Sequence, residues 1–193
     1  MTEVPLFPLN TVLFPGGRLP LRIFEQRYMG MAKTCLRDGG PFGVCLIREG
    51  KEVGTPATPV EIGCLARIAA WDMPQLGVLH ITALGEQRFR IVERRVEADG
   101  LARASVELLP ADLDAPVPES CTGCVKLLER VMEQQSALFE PPHRLGSASW
   151  VSSRLAEVLP LPLPAKQELL ELADARVRIE RLNALLRPPT ERF

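Results

Sequence analysis

Charge of one sign is what this chain lacks first: 23 Lys and Arg stand against 24 Asp and Glu, for a formal net charge of −1. Such a balance raises no long-range field that would gather nucleic acid or an anionic membrane. Long apolar runs are missing too. The longest, VLPLPLPA at 158–165, is short and broken by proline, far from the ~20 apolar residues of a membrane-spanning helix. No Lys or Arg precedes an apolar stretch within residues 1–17, so no secretory signal is expected. Histidine is scarce: His80 and His143 are the whole supply, and neither lies in a triad-like local pattern with Ser, Cys or a carboxylate. The G-x-x-x-x-G-K-[ST] loop that cradles nucleotide phosphates is absent. Five cysteines leave one over in any set of pairs and show no framework spacing. These absences lead to the expectation of a cytoplasmic protein with reduced thiols, no metal, no cofactor and no catalytic residue.

Proline, by contrast, is plentiful at 18 residues. Pro5, Pro8, Pro15 and Pro20 thread the opening run PLFPLNTVLFPGGRLPLRIFEQRY, 5–28. Proline lacks the amide donor and clashes with the preceding turn, so this run is extended strand with sharp corners rather than helix. Residues 4–9 and 19–23 read as strands, and Pro15-Gly16 suits the centre of a type II turn. A short helix is expected over about 25–36, with Tyr28, Met29, Ala32 and Leu36 as its apolar stripe and Gly39-Gly40-Pro41 as its end. Residues 42–47, FGVCLI, read as a buried strand, and 48–60 as a polar mobile loop. Residues 61–71 and 76–84 read as a hairpin around Asp72-Met73-Pro74-Gln75. Over 87–96, Phe89 and Ile91 alternate with Arg88 and Arg90; the phase then slips after Val92, which predicts a bulge. In 101–109, Ala102, Ala104, Val106 and Leu108 alternate with Arg103, Ser105 and Glu107. Many short strands predict a strongly bent sheet or partly open barrel.

Near residue 115 the pattern changes from strand-like to helical. PADLDAPVP at 110–118 has linker composition. The expected fold is therefore α+β, with a β-rich part at 1–115 carrying one short helix and an α-helical bundle at 116–193. Helices are expected at about 118–138, with Cys124, Leu128, Val131 and Leu138 near one face, and at 148–159, with Ser147 as N-cap. Two more are expected at 165–173, with Pro164 in the first turn, and at 175–187, capped by Asp174. Leu172, Ala175, Ile179, Leu182 and Leu186 give the apolar stripe of the last pair, and Pro188-Pro189 is expected to close the fold.

Several of these pieces resemble, in order, the N-terminal substrate-engaging domain of ATP-dependent Lon proteases. They are the opening run, FGVCLI (42–47), EIGCLARI (61–68), GEQRFRI (85–91), ARASVELL (102–109), and KQELLELAD with VRIERL (166–182). The resemblance reaches over 4–187 and implies a β subdomain of the kind shared with PUA-like barrels, followed by a helical bundle. It implies a module that engages polypeptide rather than cutting it. Lon continues into ATPase and protease domains, whereas this sequence reaches Pro188-Pro189 and then Phe193. A free-standing, non-catalytic form is the expectation. Cereblon-type proteins carry a similar domain followed by a zinc module with two CxxC pairs; only Cys121 and Cys124 make such a pair here.

Trp71, Met73 and Leu76 cluster at the expected hairpin tip, where a turn gives little cover. They read either as an interaction surface, since apolar patches mark such surfaces and Met adapts to varied partners, or as a contact with the helical part. Glu25, Tyr28, Arg67, Arg88 and Phe89 read as structural residues. A buried strand arginine needs a partner, and Glu25 is expected to pair with Arg88 or Arg67, locking the short helix to the sheet. The other reading of these groups is an acid–base or anion site. Arg88, Arg90, Arg94 and Arg95 form a basic strand, the basis of an alternative as an RNA-binding PUA-like module. Glu86, Glu93 and Glu97 are interleaved there and no series of stacking aromatics accompanies it, so a solvated face is expected. CTGC at 121–124 has redox or metal spacing, but no βαβ unit precedes it and structural zinc takes four ligands; incidental spacing is expected. Cys45 and Cys64 read as small hydrophobes. The expected partners are unfolded or extended polypeptide, or a specific protein, held by apolar contact, rather than membrane or nucleic acid.

Overall fold

A computed structural model describes residues 2–187. It divides into two units, Met1–Pro110 and Ala111–Phe193, so the division falls at the head of the Pro- and Asp-rich segment rather than at 115.

The prolines of the opening run act as read. β1 (Thr2–Leu9) and β2 (Arg18–Ile23) flank a corner where Gly17 N donates to Phe14 O at 2.9 Å. Gly16 sits there at φ 74°, the left-handed value a type II turn requires at its second central position. Helix α1 (Gln26–Asp38) follows and ends at Gly39. Its buried face is Arg27, Tyr28, Met31, Ala32 and Cys35, and Leu36 is exposed. The expected stripe shares Tyr28 and Ala32 with this face. Tyr28 stacks on Phe7, ring centroids 4.1 Å apart; Met31 and Cys35 turn inward beside it, Met29 packs partly buried against the same core, and Leu36 of the expected stripe is exposed.

Strands β3 (Phe42–Glu49), β4 (Thr58–Pro59), β5 (Ile62–Gln75), β6 (Val78–Val96) and β7 (Ala102–Leu108) complete a seven-stranded sheet of order β1-β7-β6-β5-β3-β4, with β2 paired to β6. β1 changes neighbours half-way: Thr2–Pro5 run antiparallel to β7, and Leu6–Leu9 run parallel to β3. The sheet is therefore bent strongly round without closing into a regular barrel. Among the described residues no ladder joins β1 to β2, which leaves a seam. The segment 48–60 is not loop throughout: Val60 N bonds Leu46 O, Thr58–Pro59 pair with β3, and Ala57 is buried. The hairpin is longer than expected as well. Asp72, Met73, Pro74 and Gln75 belong to β5, and Leu76-Gly77 makes the turn. Pro74 cannot donate to a ladder, and the register shifts where it stands, between Asp72 and Gln75. The predicted slip at Val92 is a register shift between Ile91 and Glu93.

Both faces of the sheet are covered. One carries Phe7, Leu9, Ile23, Phe42, Val44, Leu79 and Ile81 together with Tyr28, Met31 and Ala32 of α1. The other gathers Val4, Leu6, Cys45, Leu65, Ala102, Ala104 and Val106 around Phe89. Phe89 lies against two glycines. A Cβ at Gly43 would fall 2.7 Å from its ring, and one at Gly63 2.8 Å, distances no side chain tolerates.

In the second unit, the single helix expected at 118–138 is divided: a 3₁₀ turn (Glu119–Cys121), α2 (Thr122–Gln134) and a further 3₁₀ turn (Ser136–Leu138). The regular helix stops where Gln135 leaves helical dihedrals, and Leu138 is exposed beyond it. Ser147 caps α3 (Ala148–Val158) by accepting from Trp150 N. α4 (Leu163–Glu171) has Pro164 in its first turn, and Asp174 caps α5 (Ala175–Leu186) by accepting from Arg176 N and Val177 N. Leu128, Val151, Leu155, Leu169, Ile179 and Leu182 form the core. Arg178 is buried among them; its guanidinium donates to Leu169 O and Leu172 O and pairs with Asp112. It thereby satisfies carbonyls at the end of α4 that the helix itself leaves unpaired. Pro188-Pro189 lie outside the described residues. Among the described residues no helix is long and apolar enough to cross a membrane.

Candidate functional site

The β5–β6 hairpin outruns the strands that cover the rest of the sheet. Its apolar residues emerge into water at the tip: Trp71 is 59% exposed, Met73 41% and Leu76 94%. Register explains why Trp71 stands where it does. Leu21 of β2 pairs with Ile81 of β6, which pairs with Trp71 of β5. Directly paired residues share a sheet face, so this row begins in the core at Ile81 and ends in solvent at Trp71. Arg22, His80 and Asp72 form the adjoining row, with side chains on the opposite face. A shallow groove of about 520 Å³ runs along these strands between Pro20, Trp71 and Thr82. Asp72 Oδ1 accepts from Met73 N at 2.8 Å, holding the backbone at the tip.

A second concavity of about 300 Å³ lies at the seam between β1 and β2. Phe7, Leu9, Ile23 and Tyr28 line it from within, while Phe24 (53% exposed) and Val53 (55%) stand at its mouth. Burial holds the Tyr28 phenol above its ordinary pKa; Arg27 opposes that rise, and the carboxylates of Glu25 and Glu52 add to it.

The expected link from Glu25 to Arg67 or Arg88 is replaced by others. Glu25 pairs with Arg27 at 3.0 Å and accepts from Gly54 N. Arg27 also donates to Gly100 O at 3.1 Å and stacks over the Tyr28 ring at 4.6 Å. The start of α1 is thus tied to two loops rather than to strand arginines. The carboxylate nearest to hand for each arginine decides the pairing: Glu25 is two residues from Arg27, whereas Arg67 meets Glu86 on the adjacent strand at 3.1 Å, where both are largely solvated. Arg88 is buried and donates to Pro110 O, and Phe89 is wholly buried.

The remaining arginines of the basic strand are engaged. Arg90 faces Glu61 at 3.9 Å, Arg94 donates to Ala57 O, and Arg95 makes two bonds to Glu3 and one to Glu97. Cys121 and Cys124 are both buried. Burial, with Cys121 beside it, pushes the Cys124 thiol up to about 11, the reverse of the lowered pKa that a reactive pair needs. No group of three or more His, Cys, Asp or Glu is placed to hold a metal among the described residues. The tip and the seam are the apolar surfaces that stand out. The residues of the tip are legible in the sequence, as are Glu25 and Tyr28 at the seam; Phe24 and Val53 carry no local signal.

Comparison with known proteins places the chain. The family model for the substrate-binding domain of ATP-dependent protease La (Lon) matches residues 3–187. The crystal structure of a Lon N-terminal domain protein from Xanthomonas campestris superposes with a TM-score of 0.81 at 35% identity, covering 97% of this chain and 100% of that one. The N-terminal domain of a Mycobacterium avium complex Lon protease shares the fold, with a TM-score of 0.68 at 18% identity, covering 94% of this chain and 96% of that one. Among curated sequences, Lon protease 2 of Myxococcus xanthus is 29% identical over 95% of this chain and 23% of its own length. The cereblon of Danio rerio is 33% identical over 56% of this chain and 26% of its own. The chain thus spans about a quarter of these curated relatives. On the extent of the family match, it belongs to the substrate-binding domain family of ATP-dependent Lon proteases.

Proposed function

We propose that these 193 residues form a non-catalytic polypeptide-recognition module that holds unfolded or extended chains, or a specific protein partner, by apolar contact. The proteolysis and ATP use of whole Lon enzymes are not carried over. The observation that supports the reading is the exposed trio Trp71, Met73 and Leu76 at the end of a two-stranded arm, in a family described as substrate-binding. Removing apolar area from water contributes about 25 cal/mol per Å² before the cost of ordering the partner. Affinity is therefore modest, and it depends weakly on salt. RNA binding through the arginine strand would instead weaken steeply with salt, and the pairing of Arg90 and Arg95 with carboxylates speaks against it.

The test is fluorescence anisotropy with a labelled, permanently unfolded polypeptide and with an RNA pool, each at low and high salt. Polypeptide binding that survives salt and falls about tenfold or more in Trp71→Ser/Met73→Ser/Leu76→Ser, with the melting curve unchanged, is the expected result. Salt-sensitive RNA binding with no polypeptide binding would overturn the proposal, as would turnover of any substrate by the purified chain.

A further inference from the structure

We propose that the seam between β1 and β2 is a side-chain pocket that accepts one bulky apolar residue of an extended polypeptide and prefers it next to a Lys or Arg. This deepens the polypeptide-recognition reading and rests on it, but it uses a surface separate from the hairpin tip.

The seam cavity continues the core into solvent. Phe7, Leu9, Ile23 and Tyr28, which line it, are themselves buried core residues. Its volume of about 300 Å³ lies at the small end of ligand sites, roughly 300–1,000 Å³. That space equals about ten waters at ~30 Å³ each, and water against such walls forgoes hydrogen bonds. The size suits one large side chain. Phe24 and Val53, from two different segments, leave half their surface in water at the mouth. An entering apolar residue would cover them.

The backbone argues for insertion of a side chain rather than addition of a strand. Gly85 N donates to Gly17 O at 2.8 Å, and backbone groups along an antiparallel strand alternate between its two sides. Leu19, Leu21 and Ile23 therefore direct their backbone groups to β6, and Pro20 directs its own toward the seam. Proline has no amide hydrogen, so a strand laid against β2 would lose its central bond; prolines on edges discourage such pairing.

Charge selects the neighbour. Glu25 is neutralised by Arg27, and Arg22, also at the cavity, alternates with Leu21 and Ile23 and so carries its side chain to the other face of β2. Glu52 is half-buried, receives Asn10 N, and forms no ion pair with Lys, Arg or His among the described residues. A partner cation placed beside the apolar residue would meet this carboxylate at the cavity wall, where a partner carboxylate would be repelled.

Short labelled peptides on a Gly-Ser background, with Phe-Lys, Phe-Glu or Ser-Lys at the centre, test the proposal against the whole chain by anisotropy. Phe-Lys is expected to bind about tenfold or more tighter than Ser-Lys, the effect of burying one large apolar side chain, and about threefold tighter than Phe-Glu. Glu52→Gln should erase the Lys-over-Glu preference and keep Phe over Ser. Phe24→Ser/Val53→Ser should reduce Phe over Ser, and the hairpin-tip variant should keep both preferences. Peptide preferences that persist in the seam variants and vanish in the tip variant would overturn the pocket and leave polypeptide recognition standing. Absence of peptide and unfolded-polypeptide binding alike would remove both. Concentration-dependent self-association abolished by Phe24→Ser would also overturn the proposal, by assigning the seam to a second copy of the chain.

Discussion

The two units divide polar and apolar groups in opposite ways. Among the described residues, most of the large apolar side chains left in water belong to the β-rich unit: Phe24, Val53, Trp71, Met73 and Leu76 are among them, against Leu113, Leu138 and Val177 in the helical unit. Buried polar side chains run the other way. Among the described residues, Ser152, Ser153, Arg154, Gln167 and Arg178 are hidden in the helical unit, and only Arg27 and Arg88 in the β-rich one. Water-exposed apolar area is a cost to a chain that folds alone and an asset to one that binds. Buried hydrogen-bonded polar groups hold an arrangement in place without offering a surface. The β-rich unit thus offers the apolar surface that the proposed recognition requires, and the helical unit holds more of the buried polar bracing.

The largest effects should come from removing the bracing in each. Arg178→Ala takes a guanidinium away from Asp112 and from the carbonyls of Leu169 and Leu172. Breaking a buried pair on one side costs about 3–5 kcal/mol, and chemical denaturation followed by far-ultraviolet circular dichroism should register a loss of that size. Phe89→Ala should cost a similar ~3–5 kcal/mol by emptying the space against Gly43 and Gly63, read by the same denaturation experiment. The tip should behave in the opposite manner. Leu76→Ser, almost wholly exposed, should change stability by no more than about 0.5 kcal/mol. A substantial loss of stability there would mean that the tip is packed in solution and would dissolve the contrast.

What was legible in the sequence was what local chemistry decides. Pro15-Gly16, the phase slip at Val92 and the caps at Ser147 and Asp174 each announce themselves within a few residues, and each is found. The inward face of α1 was legible in part: Tyr28, Met29 and Ala32 meet the core, but the face also takes in Arg27, Met31 and Cys35 and leaves Leu36 in water, a rotation that only the packing on the sheet decides. The partner of Glu25 was not legible, since a strand arginine and a helix arginine look alike until register is known. Arg178 stands between Val177 and Ile179 as an ordinary polar position of a helix; nothing local shows that the end of α4 will need it. The seam is harder still, for it arises from a pairing that β1 and β2 do not make.

The thiols offer a smaller test. Cys35, Cys45 and Cys124 are all held above the usual thiol range, chiefly by burial. Native protein should resist iodoacetamide at neutral pH in both units, with all five cysteines reacting once denaturant is added. Rapid native labelling of Cys121 or Cys124 would return the CTGC pair to consideration as a redox site.

The smallest effects should ignore the contrast, because exposed ion pairs occur in both units. Arg95 holds the Glu3 carboxyl below its ordinary value of 4.5 in the β-rich unit, mainly by hydrogen bonding, and Arg181 does the same to Glu168 in the helical one. A carboxyl lowered on folding stabilises the native state above its unfolded pKa, and that contribution fades as pH falls through the folded value. Both glutamates should therefore titrate below 4.5 by side-chain carboxyl NMR. Arg95→Ala should raise the midpoint of Glu3 and leave that of Glu168 in place, and Arg181→Ala should do the reverse. Concentrated salt should shrink both shifts together, since solvent-exposed charges are screened. If only one of the two responded, the units would differ at their surfaces as well as in their interiors, and the division of labour between recognition and bracing would need an electrostatic component that the buried residues do not supply.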